Sequence, residues 1–265
     1  MIGFLLAALI PTSAVALQEE VPPAPDAKVI EETLRGLEEA FRSSEPKAKA
    51  GALERAAEVA DPKVVEAIAR ALGDSEREVV LAALQSLRWQ RHPSSLEALH
   101  RAYKTRRELK KDDELSAALL KAIGQHADPR SIQILCDEPF ETPSYPAIQA
   151  RILGLGRIRS IESIQALMDL LKSTHQNSID RFMDDFRLSL AVLTGTDQGP
   201  TSALWLRWWN DHKKDFVVPA ELPELPHTME MRWYGYWNLE PPGRRGKRRE
   251  DRGEDRPRPK GRRAE

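Results

Sequence analysis

The chain of 265 residues contains one cysteine, Cys136. No internal disulfide can form, and no cysteine-based metal site can be built. Aromatic residues are scarce at 6%, and no window holds the sustained alternation of a β-strand. Ala and Leu dominate the apolar content, and both lose little freedom in a helix. A Gly-rich phosphate loop, a nucleophile elbow and a Ser/His/Asp arrangement are also missing. His92, His100, His126, His175, His212 and His227 show neither His-x3-His spacing nor a Glu-containing zinc motif. His92 and His126 fall at neighbouring turns, where a metal site is the alternative to two unrelated turn residues. No cofactor is expected. With 41% hydrophobic and 31% charged residues, the protein is too apolar to be wholly disordered.

The two ends differ from the body. Ile2 to Ile10 is an apolar run of the length of a signal h-region, too short to span a bilayer comfortably. Pro11, Thr12 and Ser13 break it, and Ala14-Val15-Ala16 supplies the small residues a signal peptidase needs. No Lys or Arg precedes the run, a departure from the usual pattern. Residues 1–16 therefore read as an export signal cleaved after Ala16, with a periplasmic or extracellular product and no transmembrane anchor left behind. Residues 17–25 form a Pro-rich linker. Of the 40 Lys/Arg and 41 Asp/Glu in the sequence, 11 and 5 fall from Pro241 onward, leaving 29 and 36 before it. A mildly acidic body carries a basic tail, residues 241–265, too polar to bury a core and expected to be disordered.

Between these ends the sequence repeats. Asp61-Pro62-Lys63-Val64-Val65-Glu66-Ala67-Ile68 aligns without gaps with three later segments that start at His92, Asp128 and Ser160. The pairs Val65/Ile68, Leu96/Leu99, Ile132/Leu135 and Ile164/Leu167 each put two apolar residues on one helix face. Three of the segments carry Pro at the second position, where a helix tolerates it, and two carry Asp before it as an N-cap. A second, Ala-rich helix precedes each later segment and ends in Leu87, Ile123 or Leu155, all expected to be buried. Lys28–Phe41 with Ala48–Val59 forms a looser first unit. Ile179, Phe182, Met183, Phe186, Leu190 and Leu193 form one helical stripe that closes the last.

The phasing of Asp61 to Asp74, followed by Val79-Val80-Leu81-Ala82-Ala83-Leu84, resembles a short HEAT repeat. The resemblance covers about Asp26 to Ser173 and, more weakly, extends to Leu193. It implies an all-α, right-handed α-solenoid of about five stacked helix pairs over residues 26–213. Leu193-Thr194-Gly195-Thr196-Asp197 with Trp205, Trp208 and Trp209 is similar to the end of HEAT-like arrays in exported bacterial proteins, where a Trp-rich helix closes the stack. Trp205, Trp208 and Trp209 then cap the last repeat; the alternative is an aromatic ligand platform.

Residues 214–240 form a Pro/aromatic extension. Its Trp233, Tyr234, Tyr236 and Trp237 read as a short strand or extended segment that packs back, or else stays exposed for a partner. Asp180, Asp184 and Asp185 read as a solvated face paired with Arg181 and Arg187. Cys136 reads as a partly buried, inert thiol.

In HEAT-like stacks the second helices line the concave face. Alignment puts Leu81, Ala117 and Gln149 at one outward position, Gln85, Lys121 and Leu153 at the next, and Arg88 one turn later. This mixed polar and apolar lining suits a protein or peptide partner better than a phosphate backbone, so nucleic acid is not expected. Trp233 and Trp237 are the second candidate surface. The expected function is a non-catalytic binding scaffold acting outside the cytoplasmic membrane. The rivals are a HEAT-like lyase or chromophore-binding protein, and contact of the basic tail with an anionic polymer or surface.

Overall fold

The computed structural model describes residues 25–138, 140 and 144–241. The export signal at 1–16, all of the 17–25 linker but Pro25, and all of the 241–265 tail but Pro241 lie outside the described residues. The protein divides into two compact units, one running to His126 and one from Ala127 onward.

In the first unit, α1 (Ala27–Arg42), α3 (Pro62–Arg70) and α5 (Ser94–Thr105) form one layer, and α2 (Pro46–Ala56), α4 (Arg77–Trp89) and α7 (Asp113–Gln125) form the other. A short α6 (Arg107–Lys111) sits in the longest repeat and is anchored by buried Leu109. In the second unit α8 (Ile132–Leu135) pairs with α9 (Tyr145–Arg157), and α10 (Ile161–Ser173) with α11 (Gln176–Thr194). Each unit is thus built of stacked helix pairs, the α-solenoid arrangement, with five pairs among the described residues. Leu87, Ile123 and Leu155 are all fully buried, as the repeat pattern requires.

The residue opening each aligned segment does one job. Asp61 Oδ1 accepts from Lys63 N at 2.8 Å, and Asp128 Oδ1 from Arg130 N at 2.8 Å. Ser160 Oγ accepts from Ser163 N at 3.1 Å, and His92 Nδ1 from Ser94 N at 3.2 Å. Each satisfies a helix N-terminal N–H that has no partner within its own helix. A second ladder joins neighbouring repeats. Gln90 Nε2 donates to Val59 O at 2.8 Å, and His126 Nε2 lies 3.0 Å from Leu87 O. His92 and His126 therefore hold separate backbone groups.

Two elements differ from expectation. The segment from Asp128 is a single 3-10 turn, Pro129–Ser131, and the four-residue α8, not a full first helix. Pro139 and Pro143 follow in the sequence, and residues that precede proline are pushed out of the helical region. The aromatic segment is not extended: it is α13 (His227–Trp237), closed by Asn238 in the left-handed conformation at φ 56°.

The Trp-rich helix α12 (Ser202–His212) packs on α10, with Trp205 and Trp209 buried. Trp209 Nε1 donates to Gln165 Oε1 at 2.9 Å, and Trp205 Nε1 to Gly199 O at 3.0 Å. Each indole thus buries a large ring without stranding its N–H, and α12 covers the end of the stack as a cap. The preceding turn uses Gly195, at φ 74°, to end α11. Arg187, expected to pair within its own helix, instead clamps Asp197 of that turn at 2.8 Å and 2.5 Å. No helix among the described residues is long and apolar enough to cross a membrane.

Candidate functional site

The second helices of the first unit bury Val80, Leu84 and Leu87 of α4 and Leu119 and Ile123 of α7. Their remaining sides carry Leu81, Gln85, Arg88 and Trp89 from α4, and Ala117, Lys121 and Gln125 from α7. Leu81 and Ala117 are half-buried, and Gln85 is exposed. Trp89 is among the few large apolar side chains left exposed, at 37%.

Arg88, expected to point outward, is only 5% exposed. Its Nε and Nη2 donate to Gln125 Oε1 at 3.3 Å and 3.2 Å, and Nη1 to Gln85 Oε1 at 3.5 Å. Its guanidinium lies 4.7 Å from the centre of the Trp89 ring. That contact holds the indole at the surface and gives it a cationic neighbour. Lys121 lies one turn before Gln125 on the same face of α7. Burial, and secondly the charge of Arg88, lower its pKa to about 8.

Beside Trp89 an open groove of about 670 Å³ runs between α2 and α4. Glu54 and Glu58 of α2 and its C-terminal turn line one side, Ser86 and Trp89 of α4 the other, and the buried Gln90 amide its end. Ser86 Oγ is buried there without a hydrogen-bond partner among the described residues. A wall with an exposed aromatic ring and carboxylates can hold an extended peptide by stacking and hydrogen bonding.

The aligned positions of the second unit have a different fate. Leu153 is fully buried in one cluster with Leu188, Val192, Trp233 and Trp237. These three candidates, Leu153, Trp233 and Trp237, are therefore interior and not free surface. Helix α13 packs on α9 and α11 through this cluster. Gln149 is half-buried and donates to Asp185 Oδ1 at 3.0 Å.

Asp185 corrects a second expectation. Asp180 and Asp184 are exposed, but Asp185 is fully buried. It accepts from Arg232 Nη2 of α13 at 2.6 Å, Gln149 Nε2 at 3.0 Å and Tyr145 Oη at 3.2 Å. Burial pushes its carboxyl above the usual range, while these partners pull it back. Asp185 is a latch for α13: hydrogen bonds from three side chains offset part of the cost of its removal from water. Cys136 is half-buried, and burial raises its thiol pKa, which lowers its reactivity.

Of the nine candidates, the structure brings Gln85, Arg88 and Lys121 into one cluster on the first unit, with Leu81 and Ala117 on the same two helices. Trp89 and Ser86 were not anticipated. Trp89 had a signal: two residues past Leu87 is about 200° around the helix, so it cannot share the buried stripe. Ser86 and Asp185 had no comparable signal, because their surroundings come from other helices. Compared with models of known families, residues 34–111 match the one described as HEAT repeats. No curated protein matches the sequence.

Proposed function

Because this is a HEAT-repeat protein, we propose that it is a non-catalytic scaffold that binds a protein or peptide partner on the second-helix face of its first unit. One observation carries the reading: Trp89 is exposed, braced by Arg88 and set beside the groove between α2 and α4. Trp and Arg are the residues most often found at the energetic centre of protein interfaces. HEAT repeats commonly serve as interaction scaffolds, and their stacked helices offer an extended surface for that purpose. Glu54 and Glu58 border the groove and would repel a phosphate backbone, which favours a protein over a nucleic acid.

The place of action follows from residues 1–16. The apolar run and the small residues before Leu17 support export, with the scaffold working outside the cytoplasmic membrane. N-terminal sequencing of the protein from its native host is expected to begin at Leu17; an intact Met1 on cytosolic protein overturns this part.

The surface is tested by hydrogen exchange on the full-length protein with and without its captured partner. Protection is expected on residues 77–91 and 113–125. Protection confined to α3 and α5, or to α13, would move the site.

A further inference from the structure

We infer that the groove beside Trp89 is occupied, in the protein without its partner, by the chain's own proline-rich segment Val21-Pro22-Pro23-Ala24, which an incoming partner must displace. The occupancy stands apart from the proposed function; the displacement rests on it.

The described chain begins at this groove. Pro25 is half-buried and lines it together with Trp89 of α4 and the small Ala57 and Ala60 that follow α2. The position of Pro25 is set from the helix side. Asp26 Oδ1 accepts from Lys28 N at 2.8 Å, and Asp26 O accepts from Ile30 N at 3.1 Å. The capped start of α1 thus holds the residue that precedes it, and the four residues before Pro25 are attached inside the groove. A tether this short supplies an effective concentration of about millimolar. That populates a contact too weak to persist between separate molecules.

The chemistry of the segment fits the groove. Proline fixes its own φ and pushes the residue before it out of the helical region. In Val21-Pro22-Pro23-Ala24-Pro25 one or both constraints reach every position. The sequence therefore favours polyproline II, in which four residues span about 12 Å, and little conformational freedom remains to be lost on docking. Aromatic-lined grooves bind proline-rich segments of this form. Polyproline II leaves its carbonyls unbonded, and proline brings no N–H, so the segment offers mainly acceptors. Trp89 gives a ring face for the prolines. Its indole N–H and the side-chain amide of Gln85 have no acceptor among the described residues. Val21 to Pro25 carries no charge, so Glu54 and Glu58 on the other wall do not repel it.

Fluorine NMR of the full-length protein carrying 5-fluorotryptophan tests the occupancy without a partner. Trp89→Phe identifies the Trp89 signal, and circular dichroism confirms the fold of each variant. In the double variant Pro22→Gly, Pro23→Gly that signal is expected to move, while those of Trp205, Trp208, Trp209, Trp233 and Trp237 stay. The peptide Ac-Glu-Glu-Val-Pro-Pro-Ala-Pro-amide should then return it saturably towards its wild-type position. A segment docked about nine-tenths of the time weakens a competitor about tenfold, so the wild type should need about ten times more peptide. A Trp89 signal identical in wild type and double variant overturns the proposal. So does a double variant that ignores the peptide up to about 10 mM, since a tether at millimolar concentration could not then fill the groove. Equal peptide affinity for both proteins means that the groove takes such segments only from other molecules, and overturns self-occupancy. The captured partner should bind the double variant about tenfold more tightly than wild type; equal affinities discard the displacement. A partner mapped elsewhere by hydrogen exchange refutes the proposed function and leaves the fluorine result standing.

Discussion

Substituting alanine for glycine at two helical positions should push stability in opposite directions. A Cβ on Gly156 of α9 would lie 2.6 Å from Ser189 Cβ and Oγ and 2.8 Å from Ser189 Cα on α11. Carbon atoms in ordinary contact sit at about 3.5–4.0 Å, so the shortfall is about 1 Å. Part of it is against backbone, which no rotamer change relieves. The helices must separate, and the Ser189 Oγ bond to Ile152 O at 2.9 Å goes with them. Overpacking of this kind costs about 1–3 kcal/mol, and losing the bond adds about 1. The better helix propensity of Ala returns about 1. Gly156→Ala should therefore destabilise by about 2 kcal/mol. Gly36 of α1 meets nothing within 4 Å, so Gly36→Ala should stabilise by about 1 kcal/mol. Urea unfolding checks both. Circular dichroism follows the whole molecule, and tryptophan fluorescence follows mainly the second unit, which holds Trp205, Trp208, Trp209, Trp233 and Trp237. With a slope of about 2 kcal/mol per molar urea, the Gly156→Ala midpoint should fall by about 1 M. Ser189→Gly in that background should recover part of it. If Gly156→Ala stabilises as much as Gly36→Ala, the close packing of α9 on α11 is wrong.

Further expectations concern α13 and the titrating groups. Trp237→Ala removes a fully buried ring from the cluster with Leu153 and Leu188 and should cost about 3–5 kcal/mol, read from the same fluorescence transition; a loss below about 1 kcal/mol would mean that α13 is not docked. Asp185 has a raised pKa, so the folded state holds its proton more tightly than the unfolded state does. Its contribution should therefore fall as pH rises from the ordinary Asp range through that raised value. Asp185→Asn should remove this slope and cost less than Asp185→Ala, which leaves Arg232, Gln149 and Tyr145 without their acceptor; equal losses in urea would count against the latch. Lys121 titrates near 8 when folded, against 10.5 ordinarily. Between those values the unfolded state binds more protons, so stability should rise with pH there and flatten in Lys121→Met. A wild-type curve with no such rise contradicts the half-buried placement.

Local chemistry made the repeat core legible. Asp61, His92, Asp128 and Ser160 recur in register because each helix start needs an acceptor, and Leu87, Ile123 and Leu155 recur because each pair needs one fully buried residue. The binding face was legible only in part. Lys121 and Gln85 could be placed by alignment, but Arg88 turns inward because Gln125, 37 residues away, accepts from it. Helix α13 was hidden for a similar reason. Gly235 and a run of aromatics weaken its own helix propensity, and what fixes it are Leu153, Leu188 and the Asp185–Arg232 pair, 47 residues apart. The sequence offered Asp185 nearer arginines, and burial chose the distant one.

The proposed anchor for the partner is Trp89, on the second helices of the first unit. Calorimetric titration of the captured partner into wild type, Trp89→Ala and Glu66→Ala addresses it directly. Glu66 is an exposed first-helix residue and serves as the control. Trp89→Ala should weaken binding at least about tenfold, roughly 1.4 kcal/mol or more, while Glu66→Ala leaves it unchanged. Unchanged affinity in a folded Trp89→Ala protein, or a loss confined to Glu66→Ala, would place the partner on another face.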